Sequence, residues 1–141
     1  MTIIAHVVTS VLLTTAALPA AAQGTSGPAG APTAASSKLQ ADYDAAFQET
    51  LKKPADPATL VRYAELAVKI GNLEGAISAL ERLLLIDGDN PELMLEVGVL
   101  YFRLGAFEPA KEHLESARTS KRAEPQTKQR AAEFLKEIAT Q

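Results

Sequence analysis

The sequence predicts an all-α protein, a short α-solenoid of antiparallel helix pairs with about six helices. Three observations carry this. Pro57, Pro91 and Pro125 are equally spaced, at the period of about 34 residues that marks paired-helix repeats. Gly71 and Gly105 keep the same interval and stand where a first helix would end. Ala76 and Ala110 keep it too, as do Leu80 and Leu114, where a second helix would follow. Such an array offers a surface to a partner and little to chemistry.

The chain has 141 residues, 14 basic and 17 acidic side chains and a net charge of −3. None of these charges precedes Lys38. The chain therefore divides into an uncharged leader and a charged, Leu/Ala-rich part of a size that can bury a modest core. The small net charge argues against general nucleic-acid binding. Cysteine is absent, which excludes disulfides, thiolate zinc sites and thiol catalysis together.

Residues 1–22 read as a signal peptide. Ile3 to Leu18 is mostly apolar, and Ala20 and Ala22 stand at the −3 and −1 positions of a cut before Gln23. No Lys or Arg precedes the apolar run, so only the α-amino group supplies positive charge there. An uncleaved anchor is the alternative, but the run is short and diluted by hydroxyls for a hydrocarbon layer of about 30 Å. Residues 23–37 are rich in Gly, Pro, Ser, Thr and Ala and read as a disordered linker.

Residues 38–141 read as the helical domain, with repeats at 57–90 and 91–124 and flanking helices at 39–52 and 125–139. Asp56-Pro57 and Asn90-Pro91 each set a side-chain acceptor before a Pro whose missing N–H has no helical partner to lose. A first helix, A, then runs from Pro57 to Ile70 and from Pro91 to Leu104. Gly71 and Gly105 take the left-handed turn beyond it. A second helix, B, follows at Leu73–Ile86 and Phe107–Ser120. Ala76 and Ala110 are small where A and B approach, and Leu80, Leu83, Leu114 and Ala117 continue the buried stripe. Before the first repeat, Leu39, Tyr43, Ala46, Phe47 and Leu51 form one apolar stripe, as a B helix without its A helix. After the second, Ala131, Phe134, Leu135 and Ile138 share one face of a solvating end helix. Glu124 is a poor cap for that last helix.

These residues resemble the tetratricopeptide repeats. The family's preferred positions are matched by Leu60 or Met94, Tyr63 or Val97, Ala64 or Gly98, Ala67 or Tyr101, Ala76 or Ala110, and Leu80 or Leu114. The stretch NLEGAISALERLLLIDGDNP is similar to the family's second helix and closing loop. A weaker resemblance, carried by the N-terminal helix, the two repeats and the AEFLKEI end helix, is to the periplasmic segment of surface-lipoprotein assembly modulators and related outer-membrane barrel proteins.

The first resemblance implies a concave, partner-binding face on the A helices. Mapped onto this chain it contains Val61, Glu65, Val68 and Lys69, then Leu95, Val99, Phe102 and Arg103. The second A helix is apolar almost all round, which calls for burial all round. Two readings stand: a true apolar groove at Leu95, Val99 and Phe102, or a central helix simply shielded by its neighbours. The family's clamp for a C-terminal carboxylate is not supported, because its positions hold Val61, Glu65, Glu96 and Gln126, and only Arg130 fits. The groove as written favours an apolar or amphipathic segment with Lys69 and Arg103 at its edge.

No reactive constellation is found. His113 has Glu112 beside it but no second His or Cys to share a metal. Asp87-Gly88-Asp89-Asn90 fails the calcium-loop spacing and reads as a turn plus helix cap. Arg118, Lys121, Arg122, Lys128 and Arg130 form a modest basic cluster, read as helix-end charge. The expectation is a non-enzymatic, exported protein-binding adaptor of the cell envelope that needs no cofactor. The rival is a periplasmic module of an outer-membrane assembly. Envelope association and self-association are both compatible with this reading.

Overall fold

In the computed structural model, which describes residues 33–141, six helices follow one another and there are no strands among the described residues. They are α1 (Ala34–Lys52), α2 (Pro57–Ile70), α3 (Leu73–Ile86), α4 (Pro91–Arg103), α5 (Phe107–Thr119) and α6 (Pro125–Ile138). The chain is thus a short solenoid in which α2, α4 and α6 are A helices and α1, α3 and α5 are B helices. The export signal and most of the expected linker lie outside the described residues.

Local chemistry sets the ends. Asp56 Oδ2 accepts the Thr59 N–H at 2.8 Å, and Asn90 Oδ1 accepts the Leu93 N–H at 3.0 Å. Each stands before a Pro at the first helical position. Asn72 does the same for α3, accepting the Gly75 N–H at 2.9 Å. The hydrogen bonds from Thr59, its hydroxyl first, hold the Asp56 carboxyl below its ordinary pKa. Gly71 at φ 84° and Gly105 at φ 72° make the left-handed turns, where a β-carbon would be strained.

One expectation needs correcting. Helix α1 begins at Ala34 and not at Leu39, so residues 34–37 belong to the helix and not to the linker. Thr33 caps it by accepting the Ser36 N–H at 3.2 Å, and no Gly or Pro follows until Pro54.

Two apolar clusters fill the solenoid. The larger draws on α1 (Ala46), α2 (Leu60, Ala67), α3 (Ala76, Leu80, Leu83) and one face of α4 (Leu93, Val97, Leu100). The smaller lies between α4, α5 and α6 and contains Leu95, Val99, Ala110, Leu114, Ala117 and Ala131. No helix among the described residues is long and apolar enough to cross a membrane.

Candidate partner-binding surface

Helix α4 is the wall between the two clusters, which explains its nearly continuous apolar sequence. Residues three and four apart share a helix face, so Leu93, Val97 and Leu100 meet one cluster while Leu95 and Val99 meet the other. The approach of α5 is close. A β-carbon on Gly98 would stand 2.7 Å from Leu114 Cγ and 3.2 Å from the Ala110 carbonyl oxygen. Ala110 is the small residue expected at this crossing, and the structure sets Gly98 of α4 against it.

The predicted groove residues divide into two groups. On α2, Val61, Glu65 and Val68 are half-buried and Lys69 is exposed. On α4, Phe102 is half-buried and Arg103 exposed. Leu95 and Val99, however, are only 3% and 1% exposed. They do not line an open groove. Helix α6 lies against α4 and closes over them, with Ala131 in the same cluster. The all-round apolar character of α4 is therefore that of a central helix shielded by its neighbours. Phe102 is also engaged: its ring is edge-on to Phe134 at 5.3 Å and tilted against Phe107 at 5.8 Å. What stays open on the A-helix side is the flank of α2 with the rim of α4. Helix α2 makes no backbone approach to α4 comparable to that of α6.

A buried charge sits in the middle of this side. Glu96 is 6% exposed, and its carboxylate faces Arg130 of α6 at 3.9 Å. Burial pushes its pKa up to about 7, against the opposing pull of Arg130. A single ion pair of this length offsets only part of the desolvation cost. The sequence reading missed the pair. Its signal was present, since Glu96 and Arg130 lie one repeat period apart and occupy equivalent places on successive A helices.

Other polar groups are spent on structure. Arg122 reaches Asp87 at 3.3 Å and Asp89 at 3.8 Å, tying the α5–α6 loop to the α3–α4 loop. Asp87 also accepts from Asn90 Nδ2, and that bond leads in holding its pKa low. Two members of the expected basic cluster, Arg122 and Arg130, are thus internally paired. Tyr101 donates to Glu81 Oε1 at 2.7 Å and stacks on His113 at 5.7 Å. His113 is accordingly half-buried against an aromatic ring, not a plain surface imidazole. At the other end Asn72 Nδ2 donates to Tyr43 Oη at 2.6 Å, and Tyr43 and Tyr63 share a hydrogen bond of 3.2 Å. Burial first, then that bond, pushes the Tyr63 hydroxyl up to about 12. No group of three His, Asp or Glu placed to hold a metal occurs among the described residues.

Among the described residues the polar side chains serve as helix caps, interhelical ties and one buried ion pair. Comparison with known proteins agrees with the fold. The chain is similar to PcrH from Pseudomonas aeruginosa, known from a crystal structure, with a TM-score of 0.53 and 17% identity. The superposition covers 73% of this chain and 92% of that one, and at this identity it speaks for the fold alone. No curated protein shows significant sequence similarity to the chain. The family profile for the tetratricopeptide repeat matches residues 71–133. Those residues include α4 and α5 whole and most of α3 and α6, so the likeness to the tetratricopeptide repeat rests on the second repeat and the helices on either side of it.

Proposed function

We propose that the protein is an exported adaptor of the cell envelope that holds a protein or peptide partner on the open side of its A helices. The observation that carries this is the set of side chains left there. Val61 and Val68 are half-buried apolar residues two turns apart on one face of α2, with Glu65 between them. Lys69 and Arg103 stand exposed at the rim, and neither is in an ion pair among the described residues. Apolar floor and cationic rim suit an amphipathic segment with acidic residues at its border. Export rests on the Ala20-x-Ala22 site and the charge-free leader. The weaker likeness to barrel-linked periplasmic segments fits the same location, with the partner then a component of an outer-membrane assembly.

A photo-crosslinking amino acid placed at Lys69 or Arg103, in cells, tests the surface. It is expected to trap one and the same partner from both positions and to trap nothing from Glu74, exposed on α3. Equal capture from all three would remove the assignment. The export reading requires the recovered protein to begin at Gln23. Recovery of intact Met1 in the cytoplasmic fraction contradicts it.

A further inference from the structure

The repeat frame exposes a second surface at the far end of the solenoid. Ala64, Gly98 and Ala132 occupy equivalent places on the three A helices, each one repeat period after the last. On α2 and α4 these small residues are buried. At Gly98 the covering groups are Leu114 and the Ala110 carbonyl of the following B helix. On α6 no B helix follows among the described residues, and Ala132 is exposed. Leu135 and Ile138 beside it are only half-buried. With Lys111, Glu115 and Arg118 of α5 and Lys136 of α6 they line a shallow cavity of about 450 Å³.

Charge selects among occupants. The rim holds three cations and one carboxylate, and none of the four is in an ion pair among the described residues. Two copies of this face would bring like charge to like charge, so twofold self-pairing is disfavoured. Helix α1 of another copy is also a poor fit. At the place where α3 and α5 carry Ala76 and Ala110, α1 carries Asp42, already paired with Lys38 at 2.7 Å. A carboxylate at the closest crossing would be buried without recompense.

We infer that the α5–α6 face is a second docking surface, separate from the A-helix side, for an acidic amphipathic helix of a partner protein lying where a third B helix would lie. Such a helix sets a small residue on Ala132 and a large aliphatic one a turn further on, as Ala76 and Leu80 do in α3. Its acidic flanks meet Lys111, Arg118 and Lys136.

A probe of that chemistry is a labelled peptide of residues 72–87, which carries Ala76, Leu80 and a net negative charge. Fluorescence anisotropy with the whole chain is expected to show saturable binding. Ala132→Arg fills the berth at an exposed position and should weaken binding by about tenfold or more, as loss of a central contact commonly does. Lys136→Glu should weaken it by a few fold and serves in its place if Ala132→Arg does not fold. Lys69→Glu, on the A-helix side, should leave it unchanged. Absence of saturable binding overturns the inference. So does binding indifferent to both α6 substitutions, or binding abolished by Lys69→Glu.

Discussion

The two ends of the solenoid share one repeat frame and hold together by different means. From α1 to α3 the core is large, the caps of all three helices are made by side chains, and Tyr43, Tyr63 and Asn72 form a hydrogen-bonded tie across three helices. From α4 to α6 the core is smaller and half made of alanine. Ala106 and Glu124, the residues before α5 and α6, make no side-chain cap, and a buried carboxylate stands between α4 and α6. In a repeat array stability is close to a sum of unit and neighbour terms, so such differences are not averaged away. These differences predict that the C-terminal half is the softer one, and α4, which serves both cores, is the member on which the two depend.

The largest effect is expected from breaking that shared wall. Val99→Asp puts a carboxylate where only 1% of the residue is exposed, and an unpartnered buried charge costs several kcal/mol. Circular dichroism should show loss of the cooperative transition. A folded Val99→Asp would mean that α6 does not close over α4.

Glu96 sharpens the comparison through pH. Its folded pKa, about 7, lies above the ordinary carboxylate value, so the folded state holds the proton more tightly than the unfolded state does. Stability should therefore rise as pH falls from about 7 towards 4.5 and fall as pH rises through that window, by up to about 3 kcal/mol at about 1.4 kcal/mol per unit. Carboxyls held low by hydrogen bonds, Asp56 and Asp87, act oppositely and only at lower pH. Thermal melts from pH 5 to 8 check the slope, and Glu96→Gln should flatten it.

Gly98→Ala follows. The new methyl meets Leu114 at 2.7 Å, and overpacking of this kind costs about 1–3 kcal/mol, set against a helix-propensity gain of about 1 kcal/mol. A net loss, seen as a lower denaturant midpoint, is expected. The smallest pair of effects probes the ends separately. Tyr43→Phe removes two hydrogen bonds and should cost about 1 kcal/mol. Ala106→Asp adds the missing cap to α5 and should gain roughly 0.5–1 kcal/mol. Urea titration of both variants decides whether each half responds as its chemistry implies.

The bounds of α2 and α3 were legible to the residue, because Asp56, Asn72, the Pro at the head of α2 and Gly71 act on their own neighbours. The start of α1 was not. Gly and Pro through Pro32 coloured the reading of residues 34–37, although Thr33 followed by four residues without a breaker is a helix start. Periodicity showed that α4 is apolar all round but could not say what covers it. Leu95 and Val99 looked available because their covering, by α6, is a tertiary fact. The Glu96–Arg130 pair lay in plain view once equivalent A-helix places were compared for opposite charge.

Native-state hydrogen exchange followed by mass spectrometry tests the asymmetry most directly, since it assigns an opening free energy to each helix. Amides of α5 and α6 should exchange through openings cheaper than global unfolding, with α2 and α3 the last to yield. In Glu96→Gln the protection of α6 should rise at pH 8, while that of α2 stays as it was. Uniform protection along the solenoid, or exchange that starts from α1 and α2, would contradict the account.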